Sequence, residues 1–388
     1  MRFLNGGESH GKALVGIIEG LPSNLKIDTE KINEYLKLRQ GGYGRGGRMQ
    51  IETDQIEIIS GVRAALTTGA PVSFLIHNKD WENWKEIMAS GPEADLLQKT
   101  VTRARPGHAD YAGAVKYQQQ DIRNVLERAS ARETASRVAM GAFGIRLLEE
   151  FGIEVISFVT GIGSVQCGEK AAGMSVGRDV YQNPVYCPCQ KESQEMAALI
   201  DQAKEIGESL GGVVETRISG LPVGLGSYVN PDRKLDAMIA GAVMGIQAIK
   251  GVEIGLGFKS AERFGSQVHD EMFYEKEQGL YHGSNHAGGI EGGMTNGQTL
   301  IVKAAMKPIP TLYNPLRSVD LATGEAYEAA IERSDICAVP AASIVVGAVV
   351  AWEVAKAFVE KFGGDSLQEI RANYENWQKM TKESIGGR

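Results

Sequence analysis

The longest stretch of this chain without a charge runs from Ile336 to Trp352, seventeen residues that include Pro340, Ser343 and Gly347. A membrane span takes about 20 predominantly apolar residues, and this run is too short and too interrupted to serve as one. It reads as a buried helix that starts at Pro340 and reaches about Phe362. The chain has room to bury it: 388 residues suffice for one large domain or two ordinary ones, hiding roughly 75% of the unfolded surface. Hydrophobic residues at 43% and charged residues at 23% are ordinary for a soluble globular protein. A formal net charge of −7 argues against nucleic acid as a partner. No basic-then-apolar signal pattern opens the chain, so a cytoplasmic location and no membrane contact are expected.

Cys167, Cys187, Cys189 and Cys337 are too few for a disulfide framework in a chain of this length. Cys187-Pro188-Cys189 lacks C-x-x-C spacing and no second pair supports a zinc site, so all four are expected to be reduced thiols and no metal is expected.

The periodicities predict strands at Ala13–Glu19, Pro71–Ile76, Ile153–Ile162, Gly211–Gly220, near Gly251–Phe258 and at Thr299–Met306. A hairpin is predicted over Gln50–Ser60, turning at Thr53-Asp54. Helices are predicted from an Asp28 cap to about Arg39, after Asp110 through Lys116, from Ser130 to about Glu150, over Glu195–Ile206, over Arg233–Ile249, and beyond Asp365. Gly163–Cys189 shows no period. Ile17-Ile18-Glu19-Gly20-Leu21-Pro22 resembles Arg217-Ile218-Ser219-Gly220-Leu221-Pro222, each closing a strand before a helix. Two such halves suggest a duplication, with a site at their seam.

Four stretches carry chemistry. Arg103-Ala104-Arg105-Pro106-Gly107-His108-Ala109-Asp110 places two arginines, a histidine and a carboxylate around a Pro-Gly turn. Arginine grips phosphate or carboxylate with two parallel hydrogen bonds, and a histidine beside it can donate a proton to what is held. Gly7-Glu8-Ser9-His10-Gly11 has the same character. Gln40–Arg48 has five glycines and two arginines, either a mobile loop or an anion cradle. Ser130 and Glu133 have capping-box spacing, and Arg128 and Arg132 flank that helix start. It is either an anion site or a capped helix with solvated arginines. Among the chemistry-bearing side chains left over, His77, His269, His282 and His286 read as structural or surface residues, and Trp81 and Trp84 as helix packing rather than a ligand-stacking pair.

With Gly288–Gly297, Met306-Lys307-Pro308-Ile309-Pro310-Thr311, Arg39–Arg48 and Glu332-Arg333-Ser334-Asp335, these stretches in this order resemble the chorismate synthase family, in the short form of Gram-positive bacteria. The resemblance implies an α/β fold: a β-α-β sandwich in which antiparallel sheets flank a helical layer. It is expected as a single domain, 1–388, of two pseudo-repeats, about 1–205 and 206–388. The implied activity is that of a carbon–oxygen lyase. It eliminates phosphate in trans-1,4 fashion from 5-enolpyruvylshikimate 3-phosphate to give chorismate, the last common step of the shikimate pathway for aromatic amino acid biosynthesis. Reduced FMN is required, with no net redox change. Whether this chain reduces its own FMN with NADPH or relies on a separate flavin reductase is left open, and the family forms a homotetramer.

The same resemblance implies residue roles. His108 would protonate the departing phosphate, His10 would protonate or stabilise the flavin near N1, Asp335 would take the flavin N5 proton, and Ser9 would join that relay. Arg39, Arg48, Arg105, Arg132 and Arg333 match substrate-binding positions. Arg128, Ala129, Ser130, Gln247, Ala248, Gly292, Lys307, Pro308, Ile309, Pro310, Thr311 and Arg333 match flavin contacts, and Arg39 and Arg45 match nicotinamide-cofactor positions. Two positions depart from the family pattern. Ala129 stands where serine is common, and Ile336 follows Asp335 where proline is usual, which is expected to loosen that turn.

Overall fold

The computed structural model of this chain describes residues 1–46, 52–276, 279–329 and 335–385. In the first half the elements are β1 (Arg2–Gly6), β2 (Ala13–Glu19), α1 (Thr29–Gln40), β3 (Ile56–Ser60), β4 (Val72–His77), α2 (Asp110–Tyr117), α3 (Arg123–Ala129), α4 (Thr134–Glu149), β5 (Glu154–Ile162), β6 (Val165–Gln166), α5 (Gly168–Ala172) and α6 (Gln190–Glu205). In the second half they are β7 (Gly212–Ser219), α7 (Leu235–Met244), β8 (Ile249–Ile254), β9 (Leu300–Met306), α8 (Val339–Phe362) and α9 (Leu367–Ile385), with short ribbons between.

Two antiparallel sheets form, in the orders β1-β2-β4-β3 and β8-β9-β7-β5-β6. The first is one-sided: Leu14 and Ile18 of β2 and Val72, Phe74 and Ile76 of β4 are buried, in the period-2 pattern of a strand with one face on the core. Gly16 continues that row because the Phe74 ring fills its place; a Cβ there would lie 2.1 Å from the ring. The second sheet presents Val159, Val214, Val302 and Ala304 inward.

Between the sheets lies the helix that the uncharged run predicts. From Val339 to Trp352 α8 is apolar all round because it is enclosed all round; only its last turns carry charge, at Glu353, Lys356, Glu360 and Lys361. It is long and apolar enough to cross a membrane by composition, yet 89% of its most apolar window is buried inside the fold. Toward the second sheet, Ser157 Oγ donates to Ser343 O at 2.7 Å, and Gly347 lets the helix approach so closely that a Cβ would sit 2.7 Å from Ser157 Cβ. Toward the first sheet, Trp352 meets Phe3 edge-on at 6.4 Å between centroids. Phe74 of β4 stacks on Phe143 of α4 at 6.2 Å. This is the β-α-β sandwich of the α/β class that the sequence implies.

The two resembling stretches have the same wiring. Thr67 Oγ1 donates to Pro22 O at 2.6 Å and accepts from Leu25 N at 2.9 Å. Thr295 Oγ1 donates to Pro222 O at 2.6 Å and accepts from Leu225 N at 2.8 Å. Gly20 and Gly220 both take positive φ, 85° and 77°, which a side chain would strain.

Several predicted elements differ from those found. No hairpin forms at Thr53-Asp54: the described residues 52–55 are extended coil, β3 pairs with β4 instead, and Gln50 and Ile51 lie outside the described residues. The helix expected from Ser130 begins at Thr134, after a 3-10 turn over Ala131–Glu133. Ser130 Oγ does cap that turn, accepting from Arg132 N at 3.3 Å. The reciprocal half of a capping box is missing, because Glu133 turns to Asn5, Arg137 and Gln247. The helix expected over Arg233–Ile249 spans only Leu235–Met244, with Gly245 at its C-cap and Ala248 at a φ of 67° beyond it. α6 starts earlier than expected, at Gln190, and β1 and α3 were not foreseen.

The layer contact sets a test. A Cβ on Gly141 of α4 would lie 2.3 Å from Ala348 O of α8. Gly141→Val should therefore lower stability by about 1–3 kcal/mol or more in urea unfolding, through overpacking. Gly173→Ala, where nothing lies within 4 Å, should stay near wild type.

Candidate active site

Two histidines are held in the same way. His108 sits on the turn before α2, where Gly107 takes a φ of 78°. Its Nδ1 lies 2.5 Å from Asp110 Oδ1. Asp110 also receives Arg105 Nε at 2.9 Å, Arg105 Nη2 at 3.1 Å and Arg105 N at 3.0 Å. His10 sits in the β1–β2 connection. Its Nδ1 lies 2.9 and 3.0 Å from the two oxygens of Glu127, and its backbone N donates to Glu127 Oε2 at 2.8 Å. Arg123 Nη1 braces the same carboxylate at 3.1 Å, one helical turn earlier on α3. Each pair is a ring nitrogen on a wholly buried carboxylate backed by an arginine. Such a carboxylate fixes the Nδ1–H tautomer and turns Nε2 outward for proton exchange.

Burial pushes both carboxyls up, but hydrogen bonds and charge overcome it. His108 and Arg105 hold Asp110 far below the usual carboxylate range. His10 and Arg123 likewise hold Glu127 below it. Both carboxylates are therefore ionised and available to each imidazole.

The His10 pocket holds more than expected. Trp84 stacks on the imidazole at 4.0 Å between centroids and 22° between planes, and Asp80 Oδ2 lies 4.0 Å from His10 Nε2. Trp84 is thus no helix-packing residue; it follows a 3-10 turn, Lys79–Asn83, and walls the imidazole. Neither Trp84 nor Glu127 was a candidate from sequence. Ser9 N donates to Glu127 O at 3.0 Å, and Ser130 Oγ donates to Ser9 Oγ at 3.1 Å.

A second cluster lies around the start of α4. Arg132 is neither solvated nor a free clamp: its Nη1 lies 2.6 and 2.7 Å from the Asp54 oxygens, and its Nε donates to Asn78 Oδ1 at 2.9 Å. Arg39 donates to Thr134 Oγ1 at 2.9 Å and Ala131 O at 2.9 Å, with Asp54 at 3.4 Å. Burial brings the Arg39 guanidinium down to about 10. Arg45 Nη1 pairs with Asp335 Oδ2 at 2.7 Å, and Gly46 N donates to Asp335 Oδ1 at 2.6 Å. The turn after Asp335 is not loosened by Ile336. Its N–H donates to Gly44 O at 2.9 Å, a bond proline cannot make.

The second half reaches this cluster from the other side. Gln247 Nε2 donates to Glu133 Oε2 at 3.1 Å. Ala248 takes a φ of 67°, and its carbonyl accepts from Lys307 N at 2.9 Å. Lys307 Nζ in turn donates to Gly107 O, beside His108. Pro310 lies near Gly107, Ile309 O accepts from Ser209 Oγ at 2.7 Å, and Thr311 is buried; Pro308 lies in the same loop. Arg128 donates to Asn5 Oδ1 at 2.7 Å and Gly7 O at 3.2 Å, and Ala129 ends α3. Gly292 makes no hydrogen bond to these groups among the described residues, and space is open where its Cβ would be. Arg48 and Arg333 lie outside the described residues, as does Gly47 of the glycine-rich loop.

Within this region four buried polar atoms have no hydrogen-bond partner among the described residues: the donors Arg45 Nε and Arg132 Nη2, and the acceptors Gln247 Oε1 and Glu52 Oε1. The nearest carboxylate oxygen to Arg132 Nη2 is Glu52 Oε2, at 3.9 Å. Two unpartnered guanidinium donors suit an anionic group and the unpartnered amide oxygen suits an N–H donor, a combination that fits a flavin phosphate and ring.

Two tests follow from this wiring. Asp110 and Glu127 are depressed in the folded state. Their contribution is present above the unfolded carboxylate value of about 4 and lost as pH falls through the lower folded values. The urea midpoint should drop between about pH 7 and about pH 3, and Asp110→Asn should lower the midpoint at neutral pH while flattening that acid slope. Arg132→Ala leaves buried Asp54 with only the longer Arg39 contact at 3.4 Å, so it should cost about 1.5–3 kcal/mol of stability in urea unfolding. A wild-type midpoint in that variant would return Arg132 to the role of a free clamp.

The chorismate synthase family profile matches residues 1–359. The chain is 57% identical over 385 residues to the chorismate synthase of Desulforamulus reducens, covering 99% of this chain and 100% of that one. It is 53% identical over 388 residues to the chorismate synthase of Desulforudis audaxviator, covering 100% of each. A crystal structure of chorismate synthase superposes with a TM-score of 0.79 at 41% identity, covering 98% of each chain.

Proposed function

Because this chain belongs to the chorismate synthase family, we propose that it eliminates phosphate from 5-enolpyruvylshikimate 3-phosphate to give chorismate, by a trans-1,4 course that requires reduced FMN. The observation that carries this reading is the pair of histidines, each on a buried, arginine-braced carboxylate. A storage protein for flavin or phosphate has no use for two such groups.

His108 donates the proton that neutralises the departing phosphate. Asp110 accepts its Nδ1–H, which stabilises the imidazolium and leaves the Nε2 proton for transfer. Arg105 spends its guanidinium largely on Asp110, so its first role is to position His108, with substrate contact through what remains. Lys307, bonded to the carbonyl of Gly107, adds positive charge beside the same turn. Arg45 and Arg132, each with an unpartnered buried N–H, are the donors best placed to accept an anion; Arg39, Arg48 and Arg333 complete the proposed substrate set.

Gln247, Ala248, Arg128, Ala129, Ser130, Gly292, the Lys307–Thr311 loop and Arg333 are the proposed holders of the flavin. Reduced FMN would supply a transient electron, returned as the hydrogen departs, because substrate and summed products stand at one oxidation level. His10 manages a proton at its Nε2, with Ser9 and Ser130 hydrogen-bonded alongside. Asp335 serves as base for the flavin N5 proton. Arg45 and the Gly46 amide hold it aimed. Arg39 and Arg45 remain the proposed nicotinamide positions should the chain use NADPH; otherwise a separate flavin reductase supplies the reduced form.

The matching hydrogen bonds of Thr67 and Thr295 support a single domain of two pseudo-repeats, about 1–205 and 206–388. The outer face of the first sheet exposes Leu4, Val15 and Ile17, which supports a homotetramer in which a second copy covers it; a cytoplasmic location belongs to the same proposal.

The reading is tested in an anaerobic assay with dithionite-reduced FMN. Many chorismate molecules should form per flavin supplied, and His108→Ala should lower kcat by roughly 10²–10⁴ while retaining flavin. One product per flavin, with oxidised FMN accumulating in step, would replace the lyase by a stoichiometric redox enzyme.

A further inference from the structure

The segment Gly163–Cys189, without period in sequence and unused by the reaction, brings three thiols together. Cys167, at the N-terminus of α5, meets Cys187 with 3.4 Å between sulfurs. The Cys167, Cys187 and Cys189 sulfurs all lie within 4.8 Å of one another. They are 3%, 1% and 6% exposed. A fourth sulfur, Met174 Sδ, lies 3.8 Å from Cys189 Sγ. We propose that these four sulfurs bind one closed-shell thiophilic metal ion, Zn²⁺ or Cu⁺, at a site separate from the histidine site.

Distances support the proposal. A zinc–thiolate bond of about 2.3 Å separates paired sulfurs in a tetrahedral or trigonal shell by about 3.8–4.0 Å, within the span found here. The donor set is soft throughout, which selects Cu⁺ or Zn²⁺ over hard cations. A disulfide between Cys167 and Cys187 would use two sulfurs and an oxidant, and would leave Cys189 and Met174 without purpose. Metal uptake uses all four and involves no electron transfer: the ion displaces three thiol protons, and four metal–sulfur bonds form, three to thiolates and one to the neutral thioether.

The surroundings are built to hold the donors. Cys167 N donates to Thr160 O at 2.8 Å, anchoring the first thiol to β5. Cys187 and Cys189 flank Pro188, whose ring stiffens the link, and Cys189 O accepts from Ser193 N at 2.9 Å in the first turn of α6. Arg217 of β7 donates to Met174 O at 2.6 Å and to Ala171 O at 2.8 Å, tying the thioether loop to α5. Met174 is 39% exposed, so the entry path runs past the thioether to Cys189.

The test uses the full chain, purified under reductant, stripped with chelator and titrated without oxygen. Co²⁺ serves as an optical probe, followed by displacement with Zn²⁺ and, separately, with Cu⁺ against chelators of known affinity. One equivalent of Co²⁺ should give a thiolate charge-transfer band that Zn²⁺ or Cu⁺ abolishes. Cys167→Ser should remove it, and Cys337→Ser, whose thiol lies outside the cluster, should keep it. Met174→Leu should weaken Cu⁺ binding by roughly 10–100-fold if the thioether ligates. Should Cys167→Ser fail to fold by circular dichroism, Cys189→Ser takes its place. Absence of a stoichiometric band in the reduced wild-type protein overturns the proposal. So does a band that survives loss of these cysteines, or a Cys167–Cys187 disulfide as the only chemistry found.

Discussion

Enclosing α8 is the constraint on which the rest of this structure depends. A helix whose first fourteen residues, Val339 to Trp352, have no charged side chain on any face cannot lie on a surface, and one sheet covers only one side of it. Two sheets are required, with α4 beside α8 in the layer between them. That requirement also places the site. Asp335 stands just before α8, and the Ser130–Thr134 turn just before α4. Helix starts leave backbone N–H groups unpaired and carry a positive dipole end. The Gly46 amide and Arg45 converge on Asp335, while Arg39 and Arg132 converge on the turn before α4. An acidic chain thereby gathers cations where two enclosed helices begin.

The buried charges there are not explained by stability. Arg39 and Arg132 share Asp54, with Glu52 near Arg132, and apolar residues of equal volume would hold the layer as well. What an apolar replacement lacks is the leftover hydrogen-bonding capacity of Arg45 Nε, Arg132 Nη2 and Gln247 Oε1. Buried donors without acceptors cost free energy in the free protein. A ligand with oxygens for those donors recovers that cost, so the strain acts as selectivity for an anion. The arginines read from sequence as clamps are therefore half structural: each is fixed by a carboxylate and offers what remains.

The legible parts of this chain are those governed by local period. Ala13–Glu19, the Asp28 cap and α8 are found within a residue or so of their predicted bounds, because one-sided or complete burial stamps a period on the sequence. The failures are where distant partners overrule local signals. Ser130 and Glu133 have capping-box spacing, but Glu133 is drawn to Asn5, 128 residues away, and to Gln247. The isoleucines of 51–58 alternate like a hairpin, yet Ile56–Ser60 finds its partner in β4. Trp84 looks like packing because nothing near it in sequence announces His10. Cys167 looks solitary because Cys187 is 20 residues away, and metal-ligand spacing in sequence is only a proxy for proximity in space.

The two histidine pairs illustrate the same division within one site. Asp110 lies two residues from His108, so a Pro-Gly turn alone preassembles that pair, and the motif is visible in eight letters. Glu127 lies 117 residues from His10 and reaches it only when α3 docks on the β1–β2 connection. The backbone bonds Ser9 N to Glu127 O and His10 N to Glu127 Oε2 make that docking specific to one register of the loop. One proton-handling group is thus set by local chain geometry and the other by the tertiary fold. The second exists only when both the first sheet and the α3–α4 connection are in place. Ser130, which bonds Ser9 and caps the turn before α4, belongs to both arrangements. Through that single hydroxyl, the position of His10 is tied to the start of the layer that encloses α8.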